Sequence, residues 1–148
     1  MPRIERVAEI VWEGNLARGA GAISAGTGAF TGLPYSLASR VEAPGDKTSP
    51  EELLAAAHGG CFTMSVAGEL TGDGHPPERV ETTCRIVMDE VEGQGHQIVG
   101  SVLTVRVAVA DVDDATLAAT VERADEGCPF SALLKRAGAS VDVALERI

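Results

Sequence analysis

The chain has 148 residues, about the size of one domain, and a second domain would leave neither half a sizeable core. Hydrophobic residues make up 45% and charged residues 23%, which excludes long disorder and collagen-like structure. Twelve Lys and Arg stand against 22 Asp and Glu, a net charge of −10, and aromatics are only 3%; such a surface repels phosphate backbones and anionic lipid headgroups and offers no stacking platform for bases, so neither nucleic acid nor membrane is an expected partner.

The N-terminus, Met1-Pro2-Arg3-Ile4-Glu5-Arg6, has no apolar stretch suited to a secretory signal, and no 18-residue apolar run occurs along the chain, so the expected location is cytoplasmic. Residues 4–12 and 19–24 flank the turn-like Glu13-Gly14-Asn15 and read as a hairpin, and a third strand is expected from Tyr35 to Val41. The segment 42–50 is rich in turn formers and ends with Ser49 as an N-cap and Pro50 at the first helical position. A helix is predicted from Glu51 to about Leu70, with Leu54, Ala57, Cys61, Met64 and Gly68 recurring at spacings of three and four as an inward stripe. Residues 72–77 break it. Alternation over Val80, Thr82, Cys84, Ile86 and Met88, then Gly93-Gln94-Gly95 and the apolar run from Ile98 to Ala110, predict an antiparallel hairpin. A helix follows from about Ala115 to Asp125, ending at Gly127, and a short one begins at Pro129 and reaches Arg136. Ser140 to Leu145 alternates as the last strand. The order β-β-β-α-β-β-α-α-β is α+β, one domain over 1–148, with a curved antiparallel sheet around the helix of Cys61 as the simplest packing. With so few large side chains, a partner subunit is expected to complete the core.

Three cysteines, Cys61, Cys84 and Cys128, are an odd number and far apart, which fits neither a disulfide framework nor a zinc-type pair, and in a reducing compartment they begin as thiols. Cys84 lies on the apolar face of its strand and reads as a core residue. Cys61 is also on an apolar stripe, but it follows His58, Gly59 and Gly60. Two consecutive glycines inside a helix cost about 1–2 kcal/mol against alanine, which implies that something comes close to the backbone there. Cys128 stands at a helix start, where unpaired N–H groups favour a negative group, although a cap residue without a role fits the position equally. A Cys61–His58 hydrolase would need an oxyanion hole and an orienting group that the sequence does not display, and a zinc site from Cys61, His58 and Cys128 would lack the usual short spacing. A two-cysteine redox site needs a thiolate, a cation to hold it and a second thiol, and each is available.

Four segments carry a resemblance: Trp12-Glu13-Gly14, Ser39-Arg40, Ser49-Pro50-Glu51-Glu52-Leu53-Leu54-Ala55-Ala56-Ala57-His58-Gly59-Gly60-Cys61-Phe62, and Ala124-Asp125-Glu126-Gly127-Cys128-Pro129. Over essentially its whole length the chain resembles the OsmC/Ohr family of osmotically inducible and organic hydroperoxide resistance proteins. The arginine in Ser39-Arg40 and the Ala-Ala-His before Gly-Gly-Cys resemble the OsmC branch. The resemblance implies curved sheets around a central cysteine-bearing helix, an intertwined homodimer with the site at its interface, and a thiol-dependent peroxidase preferring organic hydroperoxides. It makes Cys61 the peroxidatic cysteine, Cys128 the resolving cysteine, Arg40 the cation that lowers the Cys61 pKa, and Glu51 the carboxylate that orients Arg40. Glu52 is the alternative orienting group, Arg18 reads as a solvated loop cation, and His58 as packing or polar support. Leu54, Phe62, Met64 and Phe130 would make the pocket apolar, which suits an alkyl hydroperoxide. No metal or organic cofactor is expected; the reductant implied is an external dithiol, such as the dihydrolipoyl group of a lipoylated protein. The rival is a non-enzymatic role as redox sensor or binder of a small lipophilic ligand.

Overall fold

A computed structural model describes residues 2–42 and 45–148, arranged in two compact units, Met1–Leu53 and Leu54–Ile148. The first unit carries strands β1 (Ala8–Glu13), β2 (Ala20–Ala25) and β3 (Leu33–Tyr35), paired antiparallel in that order, and the short helix α1 (Leu37–Val41). Trp12 and Tyr35 stack at a tilt, ring centroids 5.5 Å apart, over Gly21, where a Cβ would fall 2.3 Å from the tyrosine ring. Among the described residues of this unit Ile23 is the one buried hydrophobic side chain, while Ile10 and Val11, on opposite faces of β1, are both exposed.

The third strand expected over Tyr35 to Val41 stops at Tyr35. Ser36 and Ser39 form a reciprocal cap: Ser36 Oγ accepts from the Ser39 amide at 3.2 Å and Ser39 Oγ from the Ser36 amide at 2.9 Å. With both donors satisfied, a helical turn takes the place of the strand expected over these residues. Ser39 Oγ also lies 2.9 Å from the Thr48 carbonyl, which draws the loop back toward α1.

Helix α2 (Pro50–Gly72) starts where Ser49 and Pro50 predict it, with Ser49 Oγ accepting from the Glu52 amide at 3.1 Å. Within the second unit its buried face is His58, Gly59, Phe62, Val66 and Leu70. The stripe expected to point inward is therefore corrected: Met64 is 76% exposed, and Ala57, Gly60 and Gly68 are exposed as well. The helix is apolar on almost every side, so the spacing of apolar residues alone could not choose the face.

The sheet of the second unit has the order β4 (Arg79–Val91), β5 (Gly95–Ala108), β6 (Ser140–Arg147). β4 and β5 form the predicted antiparallel hairpin, turning through Gly93 and Gly95 at positive φ, with an irregularity between Val87 and Met88. β6 pairs with β5 in parallel, so this sheet is mixed where a wholly antiparallel one was expected; the two helices between the strands supply the crossover that a parallel pair requires. Those helices are α3 (Asp114–Gly127), capped by the Asp113 carboxylate on the Thr116 amide, and α4 (Pro129–Arg136). From Ser101 to Val107 every second residue of β5 is buried, Ser101, Leu103, Val105 and Val107, and the apolar members meet Phe62, Val66 and Leu70 of α2 and Leu117, Val121 and Ala124 of α3. Full burial of each large side chain in this cluster contributes about 1.5–3 kcal/mol. Among the described residues no helix is long and apolar enough to cross a membrane.

Candidate active site

Core packing delivers the two cysteines to each other. Cys61 follows the buried Gly59 on α2 and packs against the core with its thiol half-buried; Cys128 is fully buried, at once the last cap of α3 and the N-cap of α4. The Cys128 thiol donates to Cys61 Sγ across 3.5 Å, and both are free thiols. A disulfide needs about 2.05 Å between sulfurs, so the pair is one small movement from bonding.

Burial raises the Cys61 pKa most; the Cys128 thiol also raises it, while the backbone N–H of Phe130 pulls it down. Phe130 belongs to the first turn of α4, where N–H groups lack helical partners. The helix start that the sequence associates with Cys128 thus stabilises negative charge on Cys61.

Arg40 and Glu51, predicted to act together, are paired in the first unit: Arg40 Nε and Nη2 both donate to Glu51 Oε1, at 2.9 and 2.7 Å. The Glu51 side chain is only 16% exposed, and its Oε2 is buried without a hydrogen-bond partner. Glu52, the alternative, instead accepts from Thr48 Oγ1 at 3.3 Å. Arg18 is exposed in the β1–β2 loop, as expected of a solvated cation. Cys61 with Cys128 and Arg40 with Glu51 belong to different units, so each pair stands on its own geometry.

Two expectations need correction. Phe62, Met64, Leu54 and Phe130 do not form one apolar lining in this chain, because Phe62 is fully buried in the core whereas Met64 faces out. Of the two glycines before Cys61, Gly59 has the close neighbour inferred for it, since a Cβ there would be 3.1 Å from Cys84 Cβ, but Gly60 opens onto space free of this chain.

His58, expected to give packing or polar support, stands in a buried polar cluster whose serine members the sequence does not mark. His58 Nδ1 is 2.8 Å from Ser101 Oγ and its Nε2 is 2.8 Å from Ser131 Oγ, while Cys84 Sγ lies 3.4 Å from Ser101 Oγ. Burial lowers the His58 pKa; Asp125 raises it and Lys135 lowers it by smaller amounts. Asp125 is itself clasped by Lys135, Nζ to Oδ2 2.5 Å, which ties the end of α3 to α4. Nothing local marks this cluster, because the two serines lie 43 and 73 residues from the histidine.

Comparison with known proteins bears on the same residues. A family description, OsmC-like protein, matches residues 43–144, a span that contains Glu51, Cys61 and Cys128. The chain belongs to the OsmC-like family. It is 36% identical over 133 residues, 89% of this chain and 91% of the relative, to peroxiredoxin OsmC of Escherichia coli strain K12. It is 33% identical over 92 residues, 60% of this chain and 61% of the relative, to the organic hydroperoxide resistance protein of Xanthomonas axonopodis pv. citri. The fold is shared with the crystal structure of an organic hydroperoxide resistance protein OsmC from Legionella pneumophila, with TM-score 0.75 at 21% identity over 99% of this chain and 98% of that one. The OsmC-like α+β fold expected from sequence is thereby established, while the oligomeric state and the roles of individual site residues belong to the proposal that follows.

Proposed function

We propose that this protein is a thiol-dependent peroxidase that reduces organic hydroperoxides, and hydrogen peroxide less efficiently, in defence against oxidative and osmotic stress. The observation that carries the reading is the 3.5 Å separation of Cys61 and Cys128 in a chain of this family. Relatives named peroxiredoxin and organic hydroperoxide resistance protein support the substrate class.

In this reading the Cys61 thiolate attacks the distal peroxide oxygen. An S–O bond forms, the O–O bond breaks, and the departing alkoxide takes the proton lost by Cys61 and leaves as an alcohol. Cys128 then attacks the sulfenic sulfur, joining the two sulfurs and releasing water. An external dithiol, a dihydrolipoyl group being the expected donor, returns both thiols by exchange. Because burial raises the Cys61 pKa, the thiolate needs more than the Phe130 amide. In the proposed assembly Arg40 supplies it, its remaining guanidinium N–H groups serving thiolate and peroxide oxygens while Glu51, held by Nε and Nη2, fixes its orientation.

The assembly is a homodimer. Met64 is exposed on α2 between Gly60 and Gly68, and β1 exposes Ile10 and Val11 on both of its faces. A second copy of this chain covers these surfaces, which a monomer would leave to water at an energetic cost. Replacing Cys61 by serine tests the peroxidase reading: consumption of cumene hydroperoxide with excess dithiol should cease, and sustained turnover by that variant would refute it.

A further inference from the structure

One buried feature beside the cysteines plays no part in the chemistry above. His58 is fully buried on α2, one helical turn before Cys61, and its ring bridges Ser101 of β5 and Ser131 of α4, both also fully buried. With its pKa lowered by burial the ring is neutral, so one nitrogen donates and the other accepts. Each serine hydroxyl can do either, and both hydrogen bonds are made in either tautomer without leaving a buried charge.

The bridge joins the two helices that hold the cysteines. Ser131 lies in the first turn of α4, and that turn is closed by the Ala132 amide donating to the Cys128 carbonyl at 3.0 Å, so Ser131 and Cys128 belong to one small rigid piece. For a disulfide, the sulfurs must close by about 1.5 Å from their 3.5 Å separation, and a displacement of the attacking group by about 1 Å is enough to cost a large factor in rate.

We propose that His58 is a positioning residue for the resolving step: through its Nε2 contact with Ser131 it holds the first turn of α4, and with it Cys128, within reach of Cys61. This rests on the peroxidase reading for its role in turnover. In the step itself the Cys128 sulfur attacks the Cys61 sulfenic sulfur; the S–S bond forms, the S–O bond breaks, and the leaving hydroxide takes the proton given up by Cys128 and departs as water. His58 exchanges no proton or electron in this sequence. It sets where the attacking sulfur starts.

The test is a single turnover of reduced protein with cumene hydroperoxide, followed by thiol count and intact mass, in the wild type, S131A, H58N and H58Q. A glutamine amide reaches about as far as Nε2, whereas asparagine reaches only the Nδ1 position. Loss of the first thiol should proceed at the wild-type rate in all four. Disulfide formation should slow about tenfold in S131A and H58N, the scale of one buried hydrogen bond, with sulfenic acid trapped by dimedone, and H58Q should recover most of the rate. Wild-type disulfide formation in S131A and H58N would overturn the proposal, as would equal slowing of both steps. Equilibration of the Cys61–Cys128 pair with a glutathione buffer, without peroxide, provides a second readout. The disulfide should be about tenfold less favoured in S131A, and an unchanged equilibrium would overturn the proposal. A wild type whose Cys61 ignores peroxide refutes the peroxidase reading alone, since the glutathione equilibrium still decides the positioning role.

Discussion

Alanine at Gly59 and at Gly60 probes how tightly the cysteine helix is seated on the sheet. At Gly59 the added Cβ would stand 3.1 Å from Cys84 Cβ, whereas at Gly60 it meets nothing of this chain within 4 Å. Both positions are inside α2, where replacing glycine by alanine gains about 1 kcal/mol of helix propensity, and the difference between the two variants cancels that gain. What remains is the overlap with Cys84, whose strand is held in register against Leu103 of β5 and cannot retreat freely. Overpacking of this kind costs about 1–3 kcal/mol, so G59A should be less stable than G60A by that amount. Set against propensity, and for the chain diluted free of the second copy proposed to cover the Gly60 face, G59A should fall about 0–2 kcal/mol below the wild type, while G60A should match it or exceed it by up to about 1 kcal/mol. Urea unfolding of the reduced proteins by circular dichroism, at several protein concentrations, measures both. Cys84→Ala keeps the offending Cβ and should restore little of what G59A loses. Equal stability of G59A and G60A would refute the close seating of α2 on β4.

Arg40→Lys keeps a charge but loses the fork that Glu51 engages at two nitrogens, so Cys61 should become harder to ionise and react with organic peroxide about tenfold more slowly at neutral pH. The pH dependence of iodoacetamide alkylation reads this directly, and an unshifted profile would remove Arg40 from the site. Met64→Asp places a charge on the exposed face of α2 and should convert a dimer to a monomer in sedimentation velocity at micromolar concentration; an unaltered mass would deny that face to the interface. The His58 pKa is held below its ordinary value of 6.5, so the unfolded chain binds more protons between the two values. The stability from keeping this ring neutral is present above the unfolded value and is lost as pH falls through 6.5 toward the folded one. H58Q should flatten that part of the stability profile, and a slope identical to the wild type would show that other groups set it.

Local chemistry made much of this fold legible. Ser49 and Pro50 announce the start of α2, because caps and helix starts are decided within a few residues. The alternation from Val80 to Met88 and the glycines at 93 and 95 declare the β4–β5 hairpin. Three features depend on the rest of the chain and were hidden. A helix with apolar residues on nearly all sides does not reveal which face meets the sheet, so spacing points Met64 inward where Phe62 and Val66 fill that place. The parallel pairing of β6 follows from the path taken by α3 and α4, not from alternation in Ser140 to Leu145. The capping box of Ser36 and Ser39 lies inside a pattern that also fits a strand.

At the site, the pairing of Arg40 with Glu51 and the meeting of Cys61 with Cys128 were anticipated through family resemblance rather than through spacing. The serine partners of His58 were not. Tertiary hydrogen bonds between distant elements leave no periodic trace, and only the packed core brings Ser101 and Ser131 to the ring.

The central claim is that Cys61 and Cys128 form a peroxide-driven couple. Reduced protein mixed with one equivalent of cumene hydroperoxide, or of hydrogen peroxide, and followed by thiol count and peptide mass tests it most directly. The account predicts rapid loss of two thiols as a Cys61–Cys128 disulfide, faster with the organic peroxide. Slow oxidation without preference between the peroxides, or a disulfide that omits either cysteine, would contradict it.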